Sequence, residues 1–309
     1  MAKKNNAQGK EQIITTNPVI LGALREKFLL NEHKEFNPGV DRVEQMDAVD
    51  LLAGIPDKSV DMVLTDELFG AAKTLIEVAG RNSPLMDTDF GWDGDVPSCM
   101  TMPWVLEAAR VLKPGGCLLN CGFSEWTTLF KDVCLNAGLY WKATIHVVIT
   151  NPRPQARKKN FRSGHFDMWW VSKGVPKTFN FGEQQEMRNW VATNICPNCS
   201  AEVPVVLSNR YDVPQWIFNL NSIPGIWAEA GPLTHAIGKR HPCQKQDWLA
   251  LKYIQIFSNP GDIIVDPFGG SGWAAVNAAR LGRHYITGDT DPEWVEVMRQ
   301  KLKYVQVQQ

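Results

Sequence analysis

The chain has 309 residues, 44% of them hydrophobic and 21% charged, with a formal net charge of -1 and a sequence pI near 6.6. These values exclude a disordered polyelectrolyte and a uniformly basic nucleic-acid coat. No apolar run reaches the roughly 20 residues that a membrane-spanning helix requires. Residues 1–9 are polar and lack the apolar stretch of a signal peptide, and the seven cysteines follow no disulfide-framework spacing, so reduced thiols are expected.

In chain order, Val60-Asp61-Met62-Val63-Leu64-Thr65 reads as a short buried strand ending at Asp66. Residues 108–112 look like a helix end, with Lys113-Pro114-Gly115-Gly116 as a sharp stop after it. Residues 117–121 read as a buried strand and 124–137 as a helix stopped by Gly138. Further strands are expected at 144–149 and 168–171. From 174 to 233, Pro, Asn, Gly and Trp are frequent and periodicity is weak, which suggests a separate insert or small domain. A helix over 246–256, a strand over 263–265, a helix over 273–281, a strand over 284–287 and a helix from Pro292 complete the pattern. Strand-like runs alternating with helical ones predict an α/β domain with a mainly parallel sheet and helices on both faces.

Ile263-Ile264-Val265 runs into Asp266-Pro267-Phe268-Gly269-Gly270-Ser271-Gly272. Glycines permit a tight turn into a helix and a close backbone approach to a ligand. Seventeen residues past Gly272, Asp289 follows the next strand, where a carboxylate can accept hydrogen bonds from ribose hydroxyls. The turn alone fits either a structural strand-to-helix connection or a nucleotide-type cofactor site.

Arg153, Arg157, Lys158, Lys159 and Arg162 form a local basic stretch between two strands. A near-neutral DNA binder needs such a patch to reach phosphates, and an ordinary solvated loop is the alternative. Cys196 and Cys199 are a knuckle-like pair, but structural zinc needs four ligands and only two stand at zinc spacing, so no metal site is expected.

Taken together, these segments resemble the permuted, β-class DNA amino-methyltransferases, which act on adenine N6 or cytosine N4. The resemblance rests on the strand into Asp66-Glu67-Leu68-Phe69, on Arg110-Val111-Leu112-Lys113-Pro114-Gly115-Gly116, and on His241-Pro242-Cys243-Gln244-Lys245. It rests also on the segment from Ser258 to Gly272 and on Arg280-Leu281-Gly282-Arg283-His284-Tyr285, all in the family's order. The implied fold is a Rossmann-like, S-adenosylmethionine-dependent methyltransferase fold, circularly permuted. It divides into an N-terminal extension (1–40), a catalytic half (41–173), a target-recognition-like insert (174–240) and a cofactor half (241–309).

The resemblance places Asp66, Glu67, Leu68 and Phe69 at the catalytic loop. It places His241, Gln244, Lys245, Asp266, Phe268, Gly270, Ser271 and Asp289 around S-adenosylmethionine, with the basic stretch on double-stranded DNA. It implies a prokaryotic or viral protein of the cytoplasm, within restriction-modification, acting alone, as a homodimer, or beside another methyltransferase subunit.

Adenine is the expected acceptor ahead of cytosine. The family motif Asp-Pro-Pro-Tyr reads Asp66-Glu67-Leu68-Phe69 here, so a catalytically impaired DNA-binding partner subunit is the alternative. Glu67 either faces solvent, holds a partner, or repels DNA. Trp273 replaces a small hydroxyl residue and either narrows the pocket or lies against the helix exterior.

Overall fold

The computed structural model describes residues 39–67, 103–122, 126–149, 165–180, 191–195, 202–206, 215–218, 245 and 247–308. Leu68, Phe69, the basic stretch 153–162, Cys196, Cys199, His241 and Gln244 lie outside the described residues.

The strands are β1 (Arg42–Gln45), β2 (Val60–Thr65), β3 (Leu112–Gly122), β4 (Tyr140–Ile149), β5 (His165–Ser172), β6 (Val191–Ile195), β7 (Glu202–Val206), β8 (Gln215–Phe218), β9 (Ile263–Asp266) and β10 (His284–Asp289). The helices are α1 (Ala48–Ala53), α2 (Pro103–Val111), α3 (Thr127–Asn136), α4 (Asp247–Phe257), α5 (Trp273–Arg280) and α6 (Pro292–Gln308). Among the described residues eight strands form one sheet in the order β1-β10-β9-β2-β3-β5-β4-β8, of which β5 alone runs antiparallel to its neighbours. This is a mixed, mainly parallel sheet with helices on both faces.

Side chains alternate between the two faces of a strand, so a sheet buried on both sides builds two cores. On one face Met62, Leu64, Leu119, Ile145, Met168 and Ile264 pack beneath α4 and α5. On the other, Val63, Leu118, Trp169, Val171, Val265 and Ile286 pack beneath α1, α2 and α3. The chain leaves β9 for α5 on the first face, whereas α2, which leads into β3, lies on the second. Adjacent parallel strands whose connections diverge in this way leave a crevice at their carboxyl ends.

The turn residues 113–116 are a bulge within β3 rather than a stop before it. Val60 pairs with Leu112 and Met62 with Cys117, so Asp61 alone stands opposite the intervening residues. Gly115 takes φ +83°, and an added Cβ would meet Lys177. Lys173, just past β5, donates from Nζ to the carbonyls of Ala109, Arg110 and Leu112 at 2.6, 3.2 and 2.8 Å, capping the end of α2.

Five elements, β1, α1, β6, β7 and β8, have no counterpart in the sequence reading. α1 is only six residues long, and Asp47 starts it by accepting from the Val49 N–H at 2.9 Å. β1 is four residues long and half-exposed, and Asp41 ties it to β10 through the Tyr285 N–H and His284. Within residues 174–240, β6 and β7 form a two-stranded antiparallel sheet, while β8 joins the main sheet beside β4. Among the described residues no helix is long and apolar enough to cross a membrane, and Cys117, Cys121 and Cys134 are free thiols.

Phe130 of α3 is fully buried, 4.7 Å from the ring of Trp169 and 6.3 Å from that of Trp104. It joins α3 and α2 to the sheet, so Phe130→Ala is expected to lower unfolding free energy by about 3–5 kcal/mol, read from urea denaturation midpoints.

Candidate active site

Four carboxylates gather at the carboxyl ends of three neighbouring strands. Asp66 and Glu67 follow β2, Asp266 ends β9, and Asp289 ends β10. The first three come together because β2 pairs with β9, Met62 opposite Ile264 and Val63 opposite Val265. Thr65 Oγ1 donates to Asp266 Oδ1 at 2.7 Å across that seam.

Asp66 and Glu67 leave β2 in opposite directions. Asp66 turns to the α4 side, where Lys245 Nζ donates to both of its carboxylate oxygens at 2.9 and 2.7 Å. Both side chains are about one-fifth exposed, and the ammonium also stands 5.5 Å from the centre of the Phe166 ring. Glu67 turns to the α2 side and is buried. Its Oε2 accepts from Trp104 Nε1 at 2.9 Å and its Oε1 from Asn120 Nδ2 at 2.7 Å. Of the three orientations left open by the sequence, Glu67 holds partners. Burial pushes its carboxyl up to about 8; the bonds from Asn120 and Trp104 oppose that rise, and the nearby Asp66 adds to it.

The glycine turn is held on itself and on β10. Gly270 (φ +48°) donates its N–H to Asp289 Oδ2 at 2.9 Å, and Gly269 donates to the Gly288 carbonyl at 2.8 Å. Any Cβ on Gly269 would collide with Thr287 Oγ1 and Met298, so this glycine is required for the turn to lie against β10 and α6. Gly272 reaches φ +84° as the residue before α5.

Asp266 accepts from the Phe268 N–H at 3.2 Å, and burial pushes its carboxyl up to about 7 against that bond and the one from Thr65. Asp289 is raised by burial and accepts a second bond from the Asp291 N–H at 2.9 Å. Ser271 is buried, and its carbonyl takes the Lys301 ammonium at 2.8 Å. Phe268 and Gly270 stay partly exposed, Phe268 lying edge-on to Trp104 at 5.5 Å. Trp273 is buried in the core with α4.

Lys245, Asp66, Asp266, Phe268, Gly270 and Asp289 are therefore brought to one edge of the sheet, and Glu67 is directed away from it. The sequence singled out Glu67 but missed its partners. Asn120 within the run Leu119-Asn120-Cys121 was the available signal, since a polar residue inside an otherwise apolar buried strand needs a partner.

An α/β fold with a glycine turn and an acidic strand end at the switch point suits a nucleotide-type cofactor, and S-adenosylmethionine-dependent methyltransferases are one class built this way. The model of the DNA methylase (N6/N4 methyltransferase) family matches residues 90–300, and the chain belongs to that family. It is 29% identical over 265 residues to the type II methyltransferase M2.DpnII of Streptococcus pneumoniae, covering 83% of this chain and 87% of that one. It is 26% identical over 261 residues to the type II methyltransferase M.BamHI of Bacillus amyloliquefaciens, covering 83% of this chain but spanning only 56% of that relative. Among solved structures, the cytosine-N4-specific PvuII DNA methyltransferase superimposes with a TM-score of 0.58 at 16% identity, covering 86% of this chain and 89% of that one. The M1.HpyAVI–SAM complex superimposes with a TM-score of 0.53 at 19% identity, covering 84% and 98%. At these identities the structural matches speak for the fold.

Glu67 titrates near 8 in the folded chain against an ordinary 4.5, so between these values the folded state holds a proton that the unfolded state has lost. Raising the pH through this window removes stability. Glu67→Gln carries no such charge, so the variant is expected to gain on the wild type by on the order of a few kcal/mol from pH 5 to pH 8. Denaturation midpoints across that range test this; a constant difference between the two proteins would refute it.

Proposed function

We propose that this chain is an S-adenosylmethionine-dependent DNA methyltransferase acting on an exocyclic amine, adenine N6 ahead of cytosine N4. The observation that carries the reading is the position of Asp66 at the end of β2, one strand from the glycine turn that follows β9. The donor set fits the cofactor. Asp289 retains acceptor capacity for ribose hydroxyls beside the bare backbone of Gly270, and Phe268 offers a partly exposed aromatic face. The cofactor supplies a methyl group on a positively charged sulfonium.

An exocyclic amine is a poor nucleophile because its lone pair is delocalised into the ring. Asp66 accepts a hydrogen bond from one N–H, and the backbone carbonyl of residue 67 takes the other. This favours a tetrahedral nitrogen with a localised lone pair, and alignment of the reacting atoms supplies much of the remaining acceleration. The base must leave the duplex to reach the crevice, and Phe69 is the residue proposed to stack on it. Family loops are stiffened here by proline. In this chain the Glu67 side chain, anchored to Trp104 and Asn120, holds the backbone of residue 67 in place of a proline ring, which makes Glu67 a positioning residue.

The basic stretch 153–162 is proposed to contact DNA phosphates, and residues 174–240 to read the target sequence. The Asp66–Lys245 pair favours one second reading, an impaired partner subunit, because both Asp66 oxygens are already engaged.

Purified protein is expected to transfer labelled methyl from S-adenosylmethionine to double-stranded DNA, with digestion to nucleosides identifying the modified base. Asp66→Ala is expected to reduce transfer roughly 100-fold or more. Normal cofactor binding without transfer to any DNA would favour the partner-subunit reading, as would activity arising only in the Glu67→Pro, Leu68→Pro double variant. Lys245→Met is expected to weaken cofactor binding about tenfold, measured by calorimetry, if Lys245 exchanges Asp66 for the cofactor carboxylate.

A further inference from the structure

On the face of the sheet opposite the Asp66–Lys245 pair, three metal-ligating side chains converge where β4 and β5 meet their connecting segment. His146 of β4 stands directly opposite Asp167 of β5, and His165 lies two residues before Asp167 on the same face. The three ligand atoms lie within 4.8 Å of one another. His146 Nδ1 is 2.7 Å from Asp167 Oδ1, and the two imidazole rings are 6.0 Å apart, edge to face. The carboxylate is nearly inaccessible at 2% while the His146 side chain is 51% exposed, so the cluster has a fixed anionic floor and an open mouth.

We propose that His146, His165 and Asp167 form a binding site for a divalent first-row transition ion of the zinc type. Two neutral imidazoles and one carboxylate are a donor set that such ions favour, with three protein ligands and one position left for water. Bonds of about 2.0–2.2 Å in a tetrahedron set ligand atoms roughly 3.3–3.6 Å apart. The shortest separation, 2.7 Å, and the 4.8 Å limit bracket that spacing, and the strand pairing places His146 and Asp167 opposite each other. An ion here replaces the proton shared by His146 and Asp167 and joins β4 to β5 at the mouth of their connection. That connection, residues 150–164, carries Arg153, Arg157, Lys158, Lys159 and Arg162. The inference does not depend on methyl transfer.

Full-length protein, stripped with a chelator, is titrated with Co2+ while visible absorption is followed, and with Zn2+ by calorimetry. The expected result is at least one equivalent bound near neutral pH. One equivalent is expected to weaken tenfold or more in His165→Ala and in His146→Ala, with circular dichroism unchanged. The Cys196→Ser, Cys199→Ser double variant removes any thiolate contribution and is expected to retain the histidine-dependent equivalent. Less than one equivalent in the wild type, affinity unchanged in both histidine variants, or complete loss in the cysteine variant would each overturn the proposal.

Discussion

The pleat of β2 sends two adjacent carboxylates to opposite faces of the sheet, and the site is organised around that separation. Met62 and Leu64 face the α4 core, whereas Val63 faces the α2 core. Continuing the alternation carries Asp66 to Lys245 and Glu67 to Trp104 and Asn120. One acid is thereby left at the crevice and the other is taken into the interior. Were both on the same side, their repulsion would raise one of the two pKa values at the crevice itself.

A buried carboxyl with two donors is costly to ionise yet specific in what it holds. Glu67 receives one N–H on each oxygen, while Asn120 Oδ1 has no partner among the described residues. Rotation of the Asn120 amide would let that oxygen accept a proton from a neutral Glu67, so the group has a satisfied arrangement in either protonation state. Asp266 follows the same pattern more mildly, with Thr65 and the Phe268 N–H supporting its charge. In both cases directional hydrogen bonds hold a buried carboxyl at the end of a strand.

The sequence made the periodic parts legible. The β2 run and the glycine turn into α5 emerge within a residue or two of their observed limits, and the helix stopped at Gly138 within three, because each pairs an apolar period with a backbone signal. The bulge at 113–116 carries the same turn residues as a strand boundary, and only its pairing with Asp61 and with residues 173–177 distinguishes the two. β1 and α1 are too short and too mixed in polarity to show a period, and tertiary contacts with β10 fix them. Asp66, Lys245 and Asp289 could be singled out in the sequence, and the fold brings them to one edge of the sheet. That Lys245 bonds Asp66 was not legible, since 179 residues separate the pair and nothing local encodes their approach.

The order of the strands also bears on how the chain reaches this state. β2 lies at the centre of the sheet, yet its neighbour β9 is made about 200 residues later, as the pairing of Met62 with Ile264 shows. A ribosome adds roughly 5–20 residues per second, so one edge of β2 stays open for about 10–40 seconds of synthesis. During that interval β2 and β3 present an apolar strand edge able to pair with another nascent chain. The permuted order therefore places the kinetic hazard in translation itself, and the finished domain closes only when its last quarter arrives.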